Sequence, residues 1–90
     1  MQIEITGHQF EVTQALRTIT EEKLNKLTKY ADNINRIHVV FEVDHLDHCA
    51  RATVHLPGSD VVASHRSEDM YKTLDGLSKK LSRQLEKHRK

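Results

Sequence analysis

In the opening segment QIEIT, Ile3 and Ile5 alternate with Gln2, Glu4 and Thr6. That period of two is expected of a half-buried strand, which Gly7 closes. From Thr13, a suitable N-cap, the segment QALRTITEEKLNKLTKYA sets Leu16, Ile19, Leu24, Leu27 and Ala31 at helical spacing and keeps Glu21 and Glu22 off the stripe. This predicts a first helix, broken by DNIN. RIHVVFEVD then puts Ile37, Val39, Phe41 and Val43 on one face of a second strand. After a polar loop, ARATVHL alternates Ala50, Ala52, Val54 and Leu56 with Arg51, Thr53 and His55. Pro57-Gly58 supplies turn chemistry into a fourth strand around VVASH. Ser67 is positioned to cap a last helix, with Glu68 and Asp69 at the positive end of its dipole and Met70, Leu74, Leu77, Leu81 and Leu85 as its apolar stripe.

The order is β-α-β-β-β-α. A right-handed crossover makes strand one parallel to strand two, and two hairpins make strands two to four antiparallel. Each helix has one apolar stripe, so both cover the same sheet face. The expected fold is an α/β two-layer sandwich, a four-stranded mixed sheet with two helices on one face. Ninety residues support one domain, 1–90, with one core.

Composition narrows the setting. The longest apolar run, Val39 to Phe41, is far short of the roughly 20 residues a membrane span needs. The start carries no basic segment leading into a long apolar one, so a secretory signal is not expected. A lone cysteine, Cys49, forms no internal disulfide and fits a reducing compartment. The expectation is a cytoplasmic protein.

The formal net charge is only +1, yet residues 77–90 hold six Lys or Arg against the single acid Glu86. At about 100° per residue, Lys72, Lys79, Lys80, Arg83, Lys87 and Lys90 gather opposite the apolar stripe of the second helix, with Asp75 and Glu86 at the margin. Lys23, Lys26 and Lys29 step every three residues along one flank of the first helix. Helices side by side would join the two ridges into one positive patch, leaving Glu42, Asp44, Asp47 and Asp60 to the strands and loops. Charge runs on helices are usually solvated faces, but a ridge on both helices points to a polyanion, with nucleic acid the leading candidate. The contacts would be to phosphates and ribose, because a helix pair cannot read the deep, narrow major groove of A-form RNA. Base stacking is not expected, since Phe41 lies on the helix-covered face.

The stretch DHLDHC gathers Asp44, His45, Asp47, His48 and Cys49. A zinc site combines ligand pairs from two segments, and here only His38 and His55 on neighbouring strands could complete one. The plainer reading is a polar hairpin loop and the solvent face of a sheet. His48 and Cys49, adjacent on a strand, project to opposite faces, and no phosphate loop or nucleophile elbow is present, so no enzyme, cofactor or small-molecule substrate is expected.

SEDMYKTLDGLSKKLSRQLEKHRK, read with TGHQFEVTQALRTITEEKLNKLTKY, resembles the short form of the ribosome hibernation promoting factor family, which includes the ribosome-associated inhibitor protein Y. The resemblance covers essentially the whole chain. It implies the same β-α-β-β-β-α sandwich, similar to double-stranded-RNA-binding domains. It also implies binding to the small ribosomal subunit in the mRNA and tRNA channel, with translation silenced by occlusion in stationary phase or stress. The family's rRNA-facing positions match Lys23, Lys26, Lys29, Lys79, Lys80, Arg83, Lys87, Arg89 and Lys90. By the same resemblance, a short form acts with a separate ribosome modulation factor to promote inactive ribosome dimers. The alternative is a general double-stranded-RNA-binding module.

Overall fold

The computed structural model describes residues 1–88. Strand β1 is Gln2–His8, helix α1 Gln14–Asn25, β2 Arg36–Asp44, β3 Asp47–Leu56, β4 Ser59–Ser67 and helix α2 Met70–His88. A single 3-10 turn, Lys26–Lys29, continues α1. The sheet order is β1-β2-β3-β4, with β1 parallel to β2 and the other two pairings antiparallel. The expected sandwich forms with the expected topology.

Its core comes from the stripes read in the sequence. Ile37, Val39 and Phe41 of β2, Ala50, Ala52, Val54 and Leu56 of β3, and Val61 and Ala63 of β4 are buried under the helices. Met70, Leu74, Leu77, Leu81 and Leu85 close over them from α2, and Leu16, Leu24 and Leu27 from the α1 side. The Phe10 ring sits against Phe41, centroids 6.4 Å apart and tilted by 57°. Helix α2 lies over β3 and β4 and also touches α1.

The differences from expectation are local and have physical causes. Strand β1 runs through Gly7, which pairs with Phe41, and the chain turns only at Gln9, where φ is 51°. The first helix narrows after Asn25 into 3-10 geometry, with Thr28 Oγ1 donating to the Asn25 carbonyl. Such tightening is common at helix C-termini, where carbonyls lack intrahelical partners. The polar loop between β2 and β3 shrinks to His45 and Leu46, because Asp44 already pairs with Asp47. His45 takes φ of 58° to close the turn. Pro57-Gly58 makes the second hairpin, with Gly58 at φ 79°, a conformation that glycine adopts without a side-chain penalty.

Ser67 is not the direct cap of α2. The Asp69 carboxylate accepts from the backbone N–H groups of Tyr71 (2.7 Å) and Lys72 (3.1 Å), and Ser67 Oγ instead accepts from the Asp69 N–H. Two threonines enter the core where the apolar pattern left a gap. Thr20 Oγ1 donates to the Leu16 carbonyl at 2.7 Å, and Thr73 Oγ1 lies 2.7 Å from the His48 carbonyl oxygen of β3. Their hydroxyls are satisfied, so burial costs little.

Candidate RNA-binding surface

Thr13 caps α1, its hydroxyl accepting from the Leu16 N–H at 3.1 Å, and Leu16, Leu24 and Leu27 orient the helix with its lysines turned away from the sheet. Lys26 and Lys29 are exposed on the 3-10 turn. Side chains three apart eclipse in that geometry, so the two ammonium groups share one face. On α2 the buried leucines leave Lys72, Lys79, Arg83 and Lys87 exposed.

Asp75 joins the two ridges. One carboxylate oxygen lies 3.2 Å from Lys23 Nζ of α1 and the other 3.2 Å from Lys79 Nζ, one turn along α2. The sequence placed Asp75 at the margin of a ridge, whereas in the fold it lies between the helices and holds one lysine from each. Hydrogen bonds from Lys79 and then Lys23 keep its carboxyl below the usual aspartate range. At the head of α2, Lys72 and Glu68 pair at 2.9 Å, which raises the lysine pKa and lowers that of the glutamate. This pair is fully exposed and therefore fixes geometry more than stability.

The Asp75 link gives a pH prediction. A carboxylate whose folded pKa is depressed contributes stability above its unfolded value, here 3.8, and loses that contribution as pH falls through the lower folded value. Asp75→Asn is expected to unfold at a lower temperature than the wild type at neutral pH. Melts repeated down through the acid range should bring the two midpoints together.

Lys80 departs from the expected ridge. Its Nζ donates to the Ser64 carbonyl of β4 at 2.8 Å, so this charge sits at the sheet edge on the flank of α2 away from α1. Lys87 reaches the same flank, beside Val62 and Gln84. Arg89 and Lys90 lie outside the described residues. The ten sequence-derived positions thus include a joint face built around Lys23, Lys26, Lys29, Lys79 and Arg83, and a flank holding Lys80 and Lys87.

The open face of the sheet is more balanced than the sequence reading expected. Glu42 faces His8 (3.6 Å), Asp47 holds Arg66 (3.0 Å), Asp60 holds His55 (3.0 Å) and Glu4 holds Arg36 (3.3 Å). Cross-strand register sets His8 opposite Glu42 and His55 opposite Asp60, and brings Asp47 to Arg66 and Glu4 to Arg36 as diagonal neighbours, which residue-by-residue counting could not reveal. The DHLDHC residues disperse. The His45 side chain is 94% exposed at the hairpin tip, and His48 turns toward the helices while Cys49 turns to the open face. Among the described residues, no three His, Cys, Asp or Glu side chains converge as metal ligands. None of the described helices is long and apolar enough to cross a membrane.

Residues 3–90 match the family described as Sigma 54 modulation protein / S30EA ribosomal protein. The chain belongs to this family. It is 45% identical over 89 residues to the ribosome hibernation promoting factor of Escherichia coli K12, spanning 99% of this chain and 94% of that one. A ribosomal subunit interface protein from Coxiella burnetii superposes with a TM-score of 0.95 at 42% identity, over 99% of this chain and 98% of that one. The N-terminal domain of Thermus thermophilus Protein Y gives 0.90 at 29% identity, over 98% and 99% of the respective chains. The family is one of ribosome-associated hibernation factors and not of enzymes, and translation inhibition is its business.

Proposed function

We propose that this chain silences ribosomes by binding the small subunit in the channel that mRNA and the tRNAs use, with the joint face of α1 and α2 set against ribosomal RNA. The observation that carries the reading is Asp75, which draws Lys23 and Lys79 to one carboxylate and so makes the two helical ridges a single surface. Membership of the S30EA family supplies the ribosome as the setting. The mechanism is steric. Phosphate contacts from Lys26, Lys29, Lys79 and Arg83 fix the domain in place, and the sandwich behind them excludes translation substrates with no bond made or broken. Such a protein works in the cytoplasm, in stationary phase or stress. Promotion of inactive ribosome dimers together with a separate ribosome modulation factor is part of the same reading.

Cosedimentation with ribosomes and separated subunits at low and high salt tests it. The expected result is small-subunit binding that tRNA and mRNA compete away. If about six phosphates are neutralised, log affinity should fall against log salt with a slope near −4 to −5, at ~0.7–0.9 per contact. Binding to generic duplex RNA without binding to ribosomes would overturn the channel reading and favour a general RNA-binding module.

A further inference from the structure

A furrow follows β4, from the open, helix-free face of the sheet over the strand's free edge to the flank of α2 that faces away from α1. It begins in a basin of about 750 Å³ on that open face, which reaches from His8 and Glu42 across Arg51 to Arg66 and Lys80, then passes Ser64 and Gln84 and ends at Lys87. At roughly 3.3 Å per residue, the nine residues of β4 make it about 30 Å long. Gly76 shapes the wall. A Cβ there would overlap the imidazole of His65, so only glycine lets β4 and α2 approach this closely.

Four permanent cations line the furrow, Arg51, Arg66, Lys80 and Lys87, against the acids Glu42 and Asp60. Both acids face a histidine, His8 and His55 respectively, and Arg66 is shared with Asp47. Arg51 has no ion-pair or hydrogen-bond partner among the described residues although it stands on the third strand of the sheet. An edge strand ordinarily invites an added peptide strand. Here Lys80 Nζ and Gln84 Nε2 donate to the Ser64 and Val62 carbonyls at 2.8 and 3.1 Å, so side chains already occupy the hydrogen-bonding edge. The same bond pins the Lys80 charge in the furrow. The cations favour a polyanion, and a path that bends from the open face of the sheet over a strand edge to a helix flank suits a single flexible backbone better than a stiff duplex.

We propose that the β4/α2 furrow holds the phosphodiester backbone of a single RNA strand, as a second RNA-binding surface beside the joint face of the helices. With no Phe, Tyr or Trp ring along it, only the imidazoles of His8, His65 and His88, the furrow tracks phosphates more than it stacks bases. The domain would then touch two RNA segments at once, one across the helices and one along the sheet edge.

The test measures binding of a short fluorescein-labelled oligouridylate, and of duplex RNA of equal length, across a salt series. Arg51→Gln with Arg66→Gln should weaken oligouridylate binding about tenfold and reduce the salt slope by about 1.4, two contacts at ~0.7 each. Wild-type affinity and slope in that variant would overturn the proposal, as would duplex RNA that competes equally well or oligouridylate that does not bind at low salt. Amide shifts of the wild-type protein on adding oligouridylate give a reading that needs no variant to fold. Changes centred on Arg51 and residues 64–66 support the furrow, and changes confined to residues 23–29 overturn it. The proposal rests on reading the chain as an RNA-binding protein, but the two fail separately. Small-subunit cosedimentation reports on the helix face, and the oligouridylate slope reports on the furrow.

Discussion

Lys26→Glu, Lys79→Glu and Arg83→Glu combined are expected to abolish cosedimentation with the small subunit while leaving the domain folded. All three side chains are exposed and lie off the buried leucine stripe, so no core contact is lost. Three reversals of two units each take the formal net charge from +1 to −5. Each replaces an attraction to phosphate by a repulsion, and the effects combine because the Asp75 link holds both ridges on one face. Lys79→Glu also sets a like charge beside Asp75, a helical i,i+4 penalty of about 0.2–0.5 kcal/mol that a domain stable by roughly 5–15 kcal/mol tolerates. The readouts are the sedimentation profile and circular dichroism. A folded variant that still binds the small subunit would overturn the choice of face, and an unfolded one would overturn the view that these residues serve only the surface.

The choice of Arg83 in place of Lys80 for that experiment comes from the fold. On a helical wheel Lys79, Lys80 and Arg83 are near neighbours, and the sequence treated them as one ridge. What separates them is the position of β4, whose edge carbonyl captures Lys80. Helical periodicity reports angles about one axis and carries no record of which strand lies beside that axis, so the furrow was invisible to it. Asp75 was hidden for the same reason, since its second partner, Lys23, is 52 residues away in the chain.

The fold was legible because its signals are short-range and repeated. Alternation in β2 and β3 fixed which residues face the helices, and Pro57-Gly58 fixed one hairpin. For DHLDHC the hairpin and the opposite facing of His48 and Cys49 were legible, but not the length of the loop, since antiparallel pairing of Asp44 with Asp47 draws all but two of its residues into strands. Thr20 and Thr73 were missed because a buried hydroxyl looks polar until its carbonyl partner is known. For Thr20 that partner is one turn back in its own helix, and for Thr73 it includes β3.

Leu81→Ala is the complementary perturbation on the same helix, two residues from Arg83. Leu81 is fully buried, with Leu77 and Leu85 on either side of it along the stripe. Truncation removes apolar contact with the sheet and leaves a cavity that backbone relaxation only partly fills, a loss of about 2–5 kcal/mol. For a domain of this size each kcal/mol is about 4–8 °C in Tm, so the midpoint should drop by roughly 8–40 °C. A ninety-residue sandwich has one core and no disulfide to fall back on, which makes the lower end of its stability range the relevant comparison. RNA binding by the fraction that remains folded should keep its wild-type salt slope, because no phosphate-facing charge has moved. A thermal melt of Leu81→Ala beside that of the triple reversal therefore separates the two faces of α2. A large drop in the first and a small one in the second is the expected pair, and the opposite order would mean that the leucine stripe and the basic ridge had been assigned to the wrong sides of the helix.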